Sequence, residues 1–324
     1  MYTAEELLGK IERSLKETNF LFHPAELYEP IRYSMSMGGK RIRPLLTLMG
    51  TDLFGGDIGK AMAPGLGLEI FHNFTLVHDD IMDNASIRRG KPTVFKKWDT
   101  NTAILSGDTM FILAGQFVSR VDPAILPQVL SLFNQTAREV CEGQQLDMNF
   151  EKQEKVSIGD YLEMIRLKTA VLLGACLKTG AIIGNATGRQ ADDVYSFGVN
   201  LGMAFQLQDD LLDAFADQDK FGKETGGDIA CNKKTYLYLQ AFRLAEGEDL
   251  RELGYYFGND APERQLKIQR VTEIFRKLDI PGITSKAIEE YHQKALSCLS
   301  QLEIAADRKK ELAAFAGKMI KREF

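Results

Sequence analysis

Apolar residues recur at three- and four-residue spacing along nearly the whole chain. Leu66, Ile70, Phe74 and Val77 form one series, Ile104, Phe111 and Phe117 another, and Val194, Leu201, Phe205 and Leu211 a third. This is the spacing of one face of an α-helix, and the period-two alternation of strands is almost absent. Breaks are predicted at 54–57 (FGGD), 84–92 (NASIRRGKP), 122–127 (DPAILP), 184–190 (GNATGRQ) and 219–232, where Gly, Pro, Asn and Asp gather. No Ser/Gly/Pro-rich linker divides the chain, so the pattern predicts an all-α protein with a single domain over residues 1–324.

Two of the apolar helices carry acids in matching arrangements, LVHDDIMD (76–83) and LQDDLLD (207–213). Asp79 and Asp83 share a helix face, and Asp80 stands three residues before Asp83. Asp209, Asp210 and Asp213 repeat the pattern, with Gln206 three residues before Asp209. Clustered like charges cost a few tenths of a kcal/mol per pair, and Asp is a poor helix former. Phe74, Leu76, Val77 and Ile81, like Phe205, Leu207 and Leu211, are core-type neighbours. Acids set among them belong at the wall of a buried cavity, the alternative being a solvated acidic face. Carboxylates on facing bundle helices are one way to hold metal. An oxygen-only ligand set favours Mg²⁺, which shares its ligands with substrate phosphates. The paired helices therefore suggest metal ions bridging a diphosphate.

Cations stand where such a site would need them. Arg88 and Arg89 follow the first acids in a Gly/Pro-bounded loop, and Arg offers a planar fork to phosphate oxygens. In MGGKRIRP (37–44), Gly38 and Gly39 can leave amides open while Lys40 and Arg43 supply charge, although alone this reads equally as a solvated turn. The spacing is not that of a Walker loop. His72 lies two turns before Asp79. Lys168 and Thr169 precede an apolar run in IRLKTAVLLGA. DQDKFGKETGGDIACNKK places Lys223, Asp228, Lys233 and Lys234 in a glycine-rich loop. Gln144 and Asp147 form either a polar helix wall or a surface face.

Composition narrows the class further. A net charge of −5 and a pI near 5.6 give no basic footprint for nucleic acid. Cys141, Cys176, Cys231 and Cys298 are scattered without a C-x-x-C pair, which argues against a zinc site and for a reducing compartment. The start, MYTAEELLGK, is too polar for a secretory leader, and no apolar run approaches the roughly 18 residues of a membrane span. A soluble, cytoplasmic protein is expected.

GGKRIRP (38–44), HNFTLVHDDIMD (72–83), RRGKP (88–92), KTA (168–170), FQLQDDLLD (205–213) and GKETGGDI with NK (222–233) occur in this order. Together they resemble the trans-isoprenyl diphosphate synthases, the short-chain head-to-tail prenyltransferases of the polyprenyl synthetase family. The resemblance implies an isoprenoid-synthase-like helical bundle around a deep central cavity, in a homodimer. It implies that Asp79, Asp83, Asp209 and Asp228 bind Mg²⁺, three ions per site with substrate bound, with Asp80 and Asp213 assisting. Arg88, Lys168, Thr169, Gln206, Lys223 and Lys233 would hold an allylic diphosphate (dimethylallyl, geranyl or farnesyl). Gly39, Lys40, Arg43, His72 and Arg89 would hold isopentenyl diphosphate. Many relatives carry an acid where Cys231 stands, so that position lacks a carboxylate here. Phe74 lies about 7.5 Å before Asp79 along the helix axis, with Thr75 beside it, and its ring would floor the hydrocarbon tunnel. That implies a geranylgeranyl or farnesyl diphosphate product; a longer-chain synthase and a non-catalytic subunit are the alternatives. A terpene cyclase would have no use for GGKRIRP and His72.

Overall fold

The computed structural model describes residues 1–216, 225–258 and 263–321. The described residues are mainly helical: α1 (Ala4–Glu17), α2 (Ala25–Ser36), α3 (Ile42–Leu53), α4 (Ile58–Met82), α5 (Val94–Lys97), α6 (Thr100–Val118) and α7 (Leu126–Lys152). Next come α8 (Ile158–Ile165), a π-helical turn (Arg166–Ala170), α9 (Val171–Ile183) and α10 (Gly188–Phe215). The rest is α11 (Gly227–Ala230), α12 (Tyr236–Leu244), α13 (Gly247–Tyr256), α14 (Arg264–Lys277), α15 (Ile280–Gln301) and α16 (Ala306–Lys321). The all-α expectation is met. The one sheet among the described residues is a hairpin, β1 (Ile87–Arg88) with β2 (Lys91–Pro92), inside the predicted 84–92 break.

The chain divides into two compact units, each discontinuous in sequence. The first comprises Met1–Gln135, Ala175–Tyr195 and Leu302–Leu312. Its centre is α4, started by Asp57, whose side chain accepts from the Gly59 amide at 2.8 Å. Helix α4 packs tightly on α6 because Gly67 has no side chain. A Cβ there would meet the Val118 nitrogen at 2.8 Å and the Ala114 oxygen at 2.9 Å. The 54–57 break forms as expected, with Gly55 at φ +77°. The 184–190 break ends early, because Thr187 and Gln190 form a reciprocal cap: the Thr187 amide donates to Gln190 Oε1 at 3.0 Å and the Gln190 amide to Thr187 Oγ1 at 3.3 Å. Thr-x-x-Gln is a capping-box spacing, and α10 therefore starts at Gly188.

The second unit comprises Thr136–Gly174, Ser196–Gln301 and Ala313–Phe324. One core cluster gathers Phe150, Tyr161, Met164, Ile165, Met203 and Leu207. Another gathers Ile229, Leu237, Leu253, Val271, Ile274 and Phe275. Small residues let backbones approach closely. A Cβ on Gly198 would meet Gly174 Cα at 2.7 Å, one on Gly202 would meet Ala170 Cα at 2.6 Å, and one on Gly143 would meet the Lys168 nitrogen at 2.3 Å.

Candidate active site

In the first unit the acids occupy the C-terminal end of α4. Asp79 and Asp80 lie in its last turn, and Asp83 is the C-cap, its amide donating to Asp79 O at 2.8 Å. Carbonyl dipoles make a helix C-terminus electronegative, so acids there cost about 0.3–1 kcal/mol each; no basic residue occupies that turn. Asp80 is buried and gripped by Arg88, with Nε and Nη2 each 2.7 Å from Oδ1. Burial raises the Asp80 carboxyl to about 6, against the opposing pull of Arg88. Arg88 itself is presented by β1, and the turn of the hairpin is closed by Arg89 and Gly90, both at positive φ.

Arg89 reaches from that turn to Gly38 O and lies over Gly39, which is at φ +134°. Arg43 stands half-buried on α3, and its Nε has no hydrogen-bond partner among the described residues. His72 is neutral. Burial, reinforced by Arg43, Arg89, Arg88 and Arg41, drives its pKa well below the usual histidine range. Arg41 has a different job. It is buried, donates to Glu69 Oε1 at 2.9 Å and to Met35 O at 2.9 Å, and pairs with Glu12 at 3.2 Å, pinning the start of α3. Phe74 sits in a ring cluster, with centroids 5.6 Å from Phe71, 5.5 Å from Phe111 and 4.8 Å from His78. The Thr75 hydroxyl donates to His72 O at 2.8 Å.

In the second unit a cavity of about 120 Å³ brings together Lys168, Thr169, Gln206, Asp210, Asp228 and Lys233. Lys168 and Thr169 lie on the π-turn, whose wide bore is frequent at functional sites. Lys168 Nζ pairs with Asp147 at 2.6 Å. Thr169 Oγ1 donates to Gln206 Oε1 at 3.0 Å, and Gln206 Nε2 donates to Asp210 Oδ1 at 3.1 Å. The Tyr161 hydroxyl donates to the other Asp210 oxygen. Burial, and then the neighbouring Asp228 charge, raises Asp210 to about 7. Asp213 lies in the last turn of α10, where again no basic residue stands, and it accepts from the Asp228 amide at 2.9 Å. Lys233 Nζ is 4.0 Å from Asp228 Oδ1. Asp209 is half-buried on the same helix. Lys223 lies outside the described residues.

Comparison with known proteins decides the family. The sequence profile of the family described as polyprenyl synthetase matches residues 24–275. The chain belongs to the polyprenyl synthetase family. It is 34% identical to the geranylgeranyl diphosphate synthase of Methanosarcina mazei over 97% of this chain and 95% of that one. A crystal structure of a geranylgeranyl pyrophosphate synthase is 44% identical, covers 99% of both chains and superposes with a TM-score of 0.94. A polyprenyl synthase from Caulobacter crescentus CB15, complexed with calcium and isoprenyl diphosphate, is 26% identical, covers 99% of this chain and 96% of that one, and has a TM-score of 0.88. As a polyprenyl synthetase the chain is a prenyltransferase, as its motifs imply.

Magnesium dependence is general in polyprenyl synthetases. Among the described residues no three His, Cys, Asp or Glu side chains form a ready-made metal cage. The donors present are carboxylate oxygens spaced one turn apart on two helix ends, and such donors fit an ion that completes its shell with water and phosphate. Among the described residues no helix is long and apolar enough to cross a membrane. Tyr161, which lines the cavity of the second unit and bonds Asp210, was not singled out by sequence reasoning. Asp147, left open between wall and surface, is a wall residue. Lys234, grouped with the loop cations, instead donates to Phe150 O at 2.6 Å and to Gln153 O.

Proposed function

We propose that the chain condenses isopentenyl diphosphate head to tail with an allylic diphosphate and releases geranylgeranyl diphosphate. The cavity uniting Lys168, Thr169, Gln206, Asp228 and Lys233 carries this reading, because it concentrates phosphate-binding groups beside carboxylates. The names of the relatives, geranylgeranyl diphosphate synthases among them, support the product. Asp79, Asp83, Asp209 and Asp228 would hold Mg²⁺, three ions per site with substrate bound, and these ions would neutralise charge on the departing diphosphate.

The chain's own groups do the rest. Arg88, Lys168, Thr169, Gln206 and Lys233 orient the allylic diphosphate and stabilise the charge it gains as the carbon–oxygen bond breaks. Gly39, Lys40, Arg43, His72 and Arg89 hold isopentenyl diphosphate. Its double bond donates an electron pair to the allylic cation, and the proton then lost goes to the departing pyrophosphate. Apolar walls exclude the water that would trap the cation. Phe74, backed by Phe71 and Phe111, floors the tunnel. Exposed Leu105 and Ile112 on α6, 58% and 61% accessible, support a homodimer, and the cytoplasm is its proposed location.

The test is purified protein with Mg²⁺, labelled isopentenyl diphosphate and each allylic primer in turn. A twenty-carbon alcohol after dephosphorylation is the expected product. No incorporation with any primer would defeat the reading, and a fifteen-carbon end product would defeat the chain-length part alone.

A further inference from the structure

Lys267 is a buried lysine that none of the motifs uses. It stands in the first turns of α14 with 4% of its surface accessible. No carboxylate pairs with it among the described residues. Its ammonium donates to Asn232 Oδ1, approaches Ala230 O at 3.5 Å, and sits 5.1 Å from the centre of the Phe257 ring. Burial pulls its pKa below the ordinary lysine range. A buried ammonium is expensive unless it is hydrogen-bonded, and here Asn232 and Ala230 supply the partners.

What this ammonium holds is the segment that carries Asp228 and Lys233. The segment is fixed at both ends by α14. At its start Gly226, at φ +81°, is so close to Ile268 that a Cβ would meet Ile268 Cγ2 at 2.6 Å. In its middle Ile229 joins Val271 and Ile274 in one core cluster. At its end Lys267 binds Ala230 and Asn232, the latter at φ +57°. Facing α10, the Gly226 amide donates to Asp213 O at 2.6 Å and the Asp228 amide to Asp213 Oδ2 at 2.9 Å.

We propose that Lys267 is a positioning residue whose ammonium fixes the turn bearing Asp228 and Lys233 in the geometry that receives a metal-bound diphosphate. The inference rests on the proposed roles of Asp228 and Lys233. Groups that orient metal ligands typically govern about ten- to a hundredfold in affinity.

The experiment is a calorimetric titration of the full chain with magnesium pyrophosphate, beside thermal unfolding. Lys267→Met replaces the buried ammonium with an apolar chain of similar length, which removes the cost of burying that charge. Its expected result is an unfolding midpoint at or above wild type and an affinity weakened at least tenfold, with KM for the allylic substrate rising in parallel. Lys267→Arg should recover part of the loss. Asn232→Gly removes the acceptor yet keeps the left-handed backbone accessible. Combined with Lys267→Met it should cost no more than either alone, since both break one contact. Unchanged affinity in Lys267→Met, or a lowered midpoint without loss of affinity, would make Lys267 a structural clamp and overturn the proposal. Asp228→Asn in the same titration separates the two ideas. If it too binds normally, the assignment of Asp228 fails and takes the proposal with it.

Discussion

Asp80 and Asp210 hold the same place in their triplets, and each is drawn from water by a different partner. Arg88 takes Asp80; Tyr161 and Gln206 take Asp210. The middle acid of each set is thus a holder, and the metal-binding role is proposed for its neighbours Asp79 and Asp209. Asp79→Ala or Asp209→Ala should abolish Mg²⁺-dependent condensation while circular dichroism stays helical; retained turnover with normal metal dependence would refute the assignment. Tyr161→Phe removes a donor that lowers the Asp210 pKa, so that pKa should climb further. The acid limb of the pH–rate profile should then move to higher pH. Phe74→Ala opens the floor and should shift the product to chains longer than twenty carbons, read by chromatography. If Phe111 alone suffices as a floor, the product will not change.

At the scale of elements, the α9–α10 seam sets where Lys168 and Thr169 stand. Gly202 on α10 touches Ala170, the last residue of the π-turn. That contact sets how near Thr169 lies to Gln206. Gly202→Val would force the backbones apart at a cost of about 1–3 kcal/mol. Denaturant melting should report that loss, and KM for the allylic diphosphate should rise more than kcat falls. The acid helices were legible from their spacing, because helix geometry is local. The π-turn was not, since IRLKTAVLLGA has the composition of an ordinary helix and the backbones that approach it, at Gly143 and Gly202, are distant in sequence. The hairpin at 87–92 hid in a break recognised only as Gly/Pro-rich. The cap at Thr187 was visible as Thr-x-x-Gln, but the neighbouring glycines outweighed it.

For the whole molecule, the two raised carboxyls tie stability to pH. Asp80 and Asp210 titrate at about 6 and about 7 in the folded chain, against about 3.8 for an ordinary Asp. Between these limits the folded state binds more protons than the unfolded one, so stability falls as pH rises. Without Mg²⁺ the unfolding midpoint should be higher near pH 5 than near pH 8. Asp210→Asn should flatten the slope; a slope unchanged in that variant would show that the burial of Asp210 is not its cause. Sequence order alone disclosed the motif set, because six short segments survive as text. Buried Lys267 and Tyr161 were illegible, because each acts on a segment distant in sequence.

The π-turn also stores one spare residue of chain. Losing one residue from it would let the coil relax to an ordinary pitch and leave α8 and α9 nearly in phase, because five residues of the wide coil turn through about as much as four of the narrow one. The damage would stay within the turn itself: Lys168 and Thr169 stand on it, so their pairings with Asp147 and Gln206 would be disturbed while the flanking helices stayed whole.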